Sequence, residues 1–467
     1  MKKALKRAAV VLLIVVLILG AAAGGLFGYA AWRRGSVPQE VSQWDMALDS
    51  GRDVMRVRLE NFSAADVTGM QVISTENRSG ADLEEIVLRA FANGAESLGT
   101  GTRGVDVTNV YVNDEAVSFA FDQEDPTVVR VAYPWKAGEE ITLRWHISAP
   151  LSGDQTLISL PVLGVVQDGA WRTDAWDPLV QSGFAQAFDW EIWMEYNHDI
   201  DVAFGGAVLG YGDDPSGRIS QARMLGARDV TLLVTRGRTL RSREAAGVKL
   251  AAVAEGYSAA EALLDQAEKA LESLAQAGFA YPFPALTIVQ METGYEDGYA
   301  CSGLIALGKE ENAEAQLRRM TRLIARQTFG VLVGSDPWQE PWLSFTLAST
   351  AELMAYRHRK GQLAFEARFF DEIEVASRLT RPYGVTVGAG IERFGGDTEM
   401  TQVLRDQGAA MMLGIEEAMG REAFLAAMQA YTGGQAHQIA QRSALENALE
   451  QAAGSSFAGY LEDELSF

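Results

Sequence analysis

Gln327-Thr328-Phe329-Gly330-Val331-Leu332-Val333-Gly334-Ser335-Asp336, followed by Glu340-Pro341-Trp342-Leu343, is the stretch on which the fold turns. Apolar side chains at helical spacing run into it from Ala313 to Val333, and a second helical segment leaves it from Phe345 to Arg359. Upstream, Ser258 is expected to cap a helix over Ala259 to Ala277, in which Leu263, Leu264, Ala267, Leu271 and Leu274 share a face and Gly278 ends the run. A strand-like Ala285-Leu286-Thr287-Ile288-Val289 and a Gly-rich turn come next. Downstream, further helices are expected around Gln402 to Met419, Glu422 to Tyr431 and Ala444 to Ala453. The second half therefore reads as α-rich with a small sheet.

The first half reads differently. Short alternating runs such as Val54-Met55-Arg56-Val57-Arg58-Leu59, Val117-Ser118-Phe119-Ala120-Phe121 and Ile141-Thr142-Leu143-Arg144-Trp145 carry the signature of half-buried antiparallel strands, and Gly, Asn and Asp clusters bound them. The pattern continues to about Arg236, interrupted by one short helical segment near Leu83 to Ala92. This predicts a single β domain.

At 467 residues and 48% apolar content the chain can bury two or three cores. Lys2, Lys3, Lys6 and Arg7 precede an uncharged apolar run from Ala8 to Trp32, and Arg33 and Arg34 follow it. At about 1.5 Å rise per residue that run crosses a hydrocarbon layer of roughly 30 Å, so residues 1–34 are expected to form a transmembrane signal anchor and residues 35–50 a polar linker. A cleaved signal peptide is the rival reading, with Ala21-Ala22-Ala23 as a candidate site. Both export everything beyond Arg34, with the basic N-terminus cytoplasmic. The first 34 residues hold six basic and no acidic side chains, leaving 34 basic against 62 acidic in the remainder. Such a balance argues against nucleic acid or anionic lipid as a partner. The one cysteine, Cys301, excludes an internal disulfide.

Read without a family in mind, the sequence names no active site. His146, His198, His358 and His437 are never at ligand spacing on one helix. Cys301 precedes an apolar run and is expected to be buried, and no Gly-x-Ser-x-Gly elbow or phosphate-cradling loop occurs.

The opening stretch nevertheless resembles the catalytic core of a bacterial branch of the aminopeptidase N-like gluzincin family, the membrane alanyl aminopeptidase-type zinc metallopeptidases. There, H-E-x-x-H-Q-W runs into L-V-G-N-D and then E-P-W-L-D-E. The matches are Gln327, Leu332, Val333, Gly334, Asp336, Glu340, Pro341, Trp342 and Leu343. Phe279-Ala280-Tyr281-Pro282-Phe283 is similar to the family's G-x-Y-P-Y, and Asp297 to Leu304 resembles its G-G-M-E-Y-P-G-L loop. Gly408 to Tyr431 looks like its K-G helix pair, and Ala227-Arg228-Asp229-Val230 resembles the A-R-D-F that closes its β domain. The resemblance implies an α+β chain: after the N-terminal transmembrane helix, an antiparallel β-sandwich or saddle domain over residues 51–236, then a thermolysin-like α-rich domain with a small sheet over residues 237–467. It also implies that the long C-terminal helical domain of larger relatives is missing.

The family's catalysis needs two histidines one helical turn apart and a glutamate 19 residues after the second. Here the first histidine position is Arg322, the general-base position Leu323, the second histidine position Arg326 and the third ligand position Phe345. The transition-state tyrosine aligns with Arg405, and the glutamate that grips the substrate amine aligns with Ala300, or in another frame with Glu292. Zinc is the family's cofactor, but guanidinium groups stay protonated and offer no lone pair, so no metal and no cofactor is expected. The chain thus reads as a membrane-anchored extracytoplasmic pseudoenzyme with a non-catalytic binding or scaffold role. Arg322, Arg326 and Arg405 are candidates to bind an anion or a peptide carboxylate, or else pair with acids such as Asp336, Glu352 or Asp406. Two alternatives stay open: a zinc aminopeptidase with a rearranged site, and an accessory subunit docking on a membrane-protein partner through its anchor helix.

Overall fold

The computed structural model describes residues 51–454, except 63–64, 96–103, 152, 178, 181–183, 215–216, 296 and 375–384, together with Leu461 and Leu465. The expected anchor and linker lie outside these residues. Among the described ones, no helix is long and apolar enough to cross a membrane.

Alternation of inward apolar and outward polar side chains is regular in Glu140–Pro150, where Ile141, Leu143, Trp145, Ile147 and Ala149 are buried. A strand covered on one face requires this period. Its pairing with Asp66–Glu76 sets Leu143 opposite Ile73, and Ile73 faces Met55 of Val54–Phe62. An eight-stranded sheet results, in the order Ala207–Asp214, Gly217–Ala227, Phe188–Tyr196, Val54–Phe62, Asp66–Glu76, Glu140–Pro150, Asp106–Val112, Glu115–Ala116. Only the pair Val54–Phe62 and Phe188–Tyr196 is parallel among them. A four-stranded sheet around Ile86–Arg89 shares the same core, so that Ile86, Leu88 and Val131 pack with Trp145 and Trp190. The helical segment expected near Leu83 to Ala92 is not found: Ile86–Arg89 is a fully buried strand, and only Ala92–Ala95 makes a helical turn. A short apolar run buried on both faces has no period that separates strand from helix.

The second half begins with a mixed sheet in the order Thr239–Ala245, Val248–Ala254, Ala285–Gln290, Leu304–Leu307, Tyr299–Cys301. Its central pairs are parallel and its edges antiparallel. Helices α1 (Tyr257–Ala277), α2 (Ala313–Arg326), α3 (Trp342–Lys360), α4 (Gln362–Arg368), α5 (Gly408–Met419), α6 (Arg421–Gly434) and α7 (Arg442–Ala453) complete it. Ser258 does not cap α1. Gly256 takes that position without a side-chain bond, while Gly278 closes the helix in the left-handed conformation at φ 106°, as expected.

The two halves are riveted by the segment Ala227-Arg228-Asp229-Val230. The buried Arg228 guanidinium donates to the carbonyls of Ala185 and Val331 at 2.8 Å and of Gln438 at 2.7 Å, and the Asp229 carboxylate accepts from the Ser302 N–H at 2.8 Å. His437 belongs to the same junction. Its backbone N–H donates to Leu332 O at 2.7 Å, and its Nδ1 lies 3.2 Å from the carbonyl of Gly226. Burial, aided by Arg52 and Arg228, pushes its imidazole pKa down, against the pull of the Gly226 carbonyl and Asp189. A group depressed on folding binds its proton more readily when unfolded, so the stability tied to neutral His437 is present above the unfolded value near 6.5 and is lost as pH falls below it toward the folded value. Denaturant midpoints of wild type and H437N, compared at pH 8 and pH 5.5, should therefore converge at the lower pH. A gap that stays constant would refute this.

Candidate active site

Asn312 starts α2 by accepting the N–H groups of Glu314 and Ala315 at 3.0 and 3.1 Å. Leu317, Met320, Leu323 and Ile324 then bury the inward face of α2, and after Arg326 the chain widens into a π turn, Gln327–Leu332. Gln327 is completely buried and explains the fixed position of this turn. Its amide donates to Cys301 O at 2.9 Å and accepts from Gly303 N–H at 2.8 Å. Gly303 has φ +67°, and a Cβ there would stand 2.3 Å from the carbonyl oxygen of Gly205, so only glycine fits. The edge strand Tyr299–Cys301 is thereby locked against α2.

Arg322 and Arg326 leave α2 one turn apart, and each reaches a different partner. Arg322 grips Asp297 with Nε at 3.1 Å and Nη2 at 2.5 Å. Arg405, from the π turn Gln402–Gln407, reaches the same carboxylate at 3.3 Å and holds Asp406 at 2.8 Å. Burial alone would raise the Asp297 pKa, but the two guanidinium groups override it and hold the carboxyl well below the usual carboxylate range. Arg326 instead lays its guanidinium over the Phe345 ring of α3, 4.2 Å from the centroid, a cation–π contact in a buried setting. Burial pushes its pKa down to about 10, with Asp297 and Asp397 opposing. Beside this pair is a void of about 20 Å³, room for about one water, lined also by Phe184, Arg228 and Ser344.

Leu323 and Ala300 are packed into one apolar core, and neither presents a polar atom to the cleft. Glu292 is exposed beside Gly308, and lines neither this void nor the hollow next to Arg322. Of the acids expected to pair with the arginines, Asp406 and Glu352 do so, Glu352 at 3.6 Å from Arg322. Asp336 does not: it accepts from Arg172 at 2.6 Å and from the N–H groups of Trp338 and Gln339, which fixes the turn before α3. Asp297, the acid that joins two of the three arginines, was visible in the resembling loop only as a loop residue, because nothing in its spacing marks it as their partner. Cys301 is fully buried, and burial pushes its thiol pKa up.

The positions that the resemblance sets at a zinc site, 322, 326 and 345, carry two guanidinium groups and a phenyl ring, with Leu323 where it sets the base. None offers a lone pair to a dication, so these residues do not fit zinc. Among the described residues, no group of three or more His, Cys, Asp and Glu is placed to hold a metal ion.

Arg322 and Arg326 thus stand one turn apart on α2, and Arg326 meets Phe345 of α3. No family model matches this sequence, and no curated protein matches it in sequence. Solved structures do match in fold. An M1 zinc metallopeptidase from Deinococcus radiodurans aligns with a TM-score of 0.62 at 15% identity, covering 89% of this chain and 92% of that one. A point mutant of it gives 0.63 over 86% and 90% at 15% identity. A mutant bound to a Tyr-Ser-Ala substrate gives 0.61 over 89% and 93%, also at 15% identity. The chain therefore has a mixed α+β, M1 peptidase-like fold that spans both of its halves.

Proposed function

We propose that this chain is a membrane-anchored, extracytoplasmic pseudoenzyme of the bacterial aminopeptidase N-type branch, with a non-catalytic binding or scaffold role. In this scheme residues 1–34 anchor it, 35–50 link, 51–236 form the family's N-terminal β domain, and 237–467 form a degenerate gluzincin domain that takes a peptide or an anionic ligand. What carries the proposal is the packing of Arg326 on Phe345 beside the Arg322–Asp297–Arg405 cluster: the positions that would need zinc donors are filled by a self-satisfied arrangement of charge and aromatic surface. Without a Lewis acid or a base at Leu323 there is no route to an activated water.

The expected result is that the full chain, purified in mild detergent, holds no stoichiometric zinc by mass spectrometry and does not hydrolyse aminoacyl-nitroanilides. Turnover that a chelator abolishes and zinc restores would overturn it. Retention of the chain in washed membranes, with protease sparing only its N-terminal segment, tests the anchor.

A further inference from the structure

One turn before Arg322, α2 opens onto a hollow of about 190 Å³, walled by α2, α3, α4 and the π turns Phe369–Glu374 and Gln402–Gln407. Among the described residues lining it are five arginines, Arg318, Arg319, Arg322, Arg368 and Arg405, against four acids. In a chain of formal net charge −22 this is a local inversion of sign.

The acids are not equivalent. Asp297, Glu352 and Asp406 keep side-chain exposures of 13%, 2% and 12% and are fixed parts of the wall. Glu372 is 51% exposed and sits near the end of a short π turn. It accepts from Arg318 Nη1 of α2 at 2.6 Å and from Arg368 Nε of α4 at 3.1 Å. Both arginines are largely buried, at 20% and 9%. Arg368 also holds Glu352 through two parallel bonds of 2.8 and 2.9 Å, which fixes its plane. The result is a guanidinium pair, with Arg368 fixed independently by Glu352, closed by a carboxylate that is half in water.

We propose that this hollow is a carboxylate-binding site, that the Glu372 side chain is its internal occupant, and that an incoming carboxylate takes Glu372's place on Arg318 and Arg368. The ligand class is a small free carboxylate or the C-terminal carboxylate of a peptide. This names the ligand chemistry of the non-catalytic cleft proposed above and rests on that role, but it gives the ligand to Arg318 and Arg368 at one end of the hollow rather than to Arg322, Arg326 and Arg405. Those three are committed to Asp297, Asp406 and Phe345. Arg318 and Arg368 both donate to one oxygen of Glu372, Oε2, so the position is set for a single anionic oxygen, and its present occupant, a carboxylate, sets the ligand class. A tethered competitor acts at an effective concentration in the millimolar range, so removing it should unmask affinity rather than destroy it.

The test compares wild type, E372A and E372A/R318M as full chains in detergent at low salt with chelator present. The probes are succinate, trialanine, trialanine amide and sulfate, read by calorimetry and thermal shift. E372A should bind succinate or trialanine at least about tenfold more tightly than wild type, and R318M should abolish the gain. Trialanine exceeding succinate, with the amide silent, assigns the ligand to peptide C-termini. Succinate matching or exceeding trialanine assigns it to free acids. Equal gain for sulfate, no gain in E372A, or a gain that survives R318M would overturn the proposal. Neither zinc nor turnover is read, so hydrolysis found elsewhere would refute the non-catalytic role without changing this outcome, and absent carboxylate binding would leave that role standing.

Discussion

Replacing Asp297 by alanine is expected to lower unfolding stability by about 3 kcal/mol, at the low end of what breaking a buried ion pair costs. The carboxylate neutralises Arg322 and Arg405 together, and its side chain is only 13% exposed. Its removal leaves two guanidinium groups facing each other across a partly dry cleft. The loss stays at the low end because Arg322 retains Glu352 at 3.6 Å and Arg405 retains Asp406 at 2.8 Å. Since the Asp297 pKa is depressed by folding, its contribution is complete above the unfolded carboxylate value and fades as pH falls through the lower folded value. Urea unfolding at pH 7 is the measurement. D297A should shift the midpoint strongly, whereas D297L combined with R322M and R405M, which replaces Asp297 and both its partners by apolar volume, should recover part of the loss, limited by Asp406 losing Arg405. A D297A midpoint within about 0.5 kcal/mol of wild type, the range of an ordinary surface change, would show that the cluster is solvated and structurally unimportant.

Where periodicity was long and one-sided, the fold was legible. Helix α1 followed from Leu263, Leu264, Ala267, Leu271 and Leu274 recurring on one face above Gly278, and the strand Glu140–Pro150 from strict alternation around Trp145. It failed where burial erases the period, as in Ile86–Arg89, and where a cap depends on backbone geometry: Gly256 rather than Ser258 begins α1. Helix α4 carried no signal separable from α3, because only Gly361, at φ +85°, divides them.

Residue identities in the cleft could be read by counting along one helix, because Arg322 and Arg326 are fixed relative to each other by the helical repeat. Partners across elements could not. Asp297 comes from a loop before an edge strand, and Arg405 from a π turn that lies 108 positions away in sequence. Arg318 and Glu372 meet over 54 positions, between segments whose relation only the packed structure defines. The divergence of Arg326 from Arg322 is likewise a packing result. Phe345 offers a ring face to one guanidinium, and Asp297 offers charge to the other.

If the cleft is a converted zinc site, reversing the conversion should rebuild metal affinity. The combined substitution R322H, L323E, R326H and F345E is expected to take the chain from no bound zinc to about one per molecule, with stabilisation of several kcal/mol by linkage at micromolar free metal. Two features of the structure support this. The backbone of α2 stays regular through Arg326, so the two introduced imidazoles lie one turn apart, and the Phe345 ring is already in contact with residue 326. A dication restores the two guanidinium charges removed at positions 322 and 326, and the two carboxylates introduced at 323 and 345 leave the site two charges more negative than now, which favours holding the ion. The variant that keeps Phe345 should bind zinc much more weakly, since the third protein ligand is then absent. Peptidase activity should not return with the metal, because the resemblance sets Arg405 at the family's tyrosine, whichever of Ala300 and Glu292 it sets at the amine-gripping glutamate. Equilibrium dialysis with metal analysis decides the matter, with circular dichroism confirming a native fold. A folded quadruple variant that retains no zinc would show that residues 322, 326 and 345 do not share one coordination centre, and the zinc-site correspondence itself would have to be abandoned.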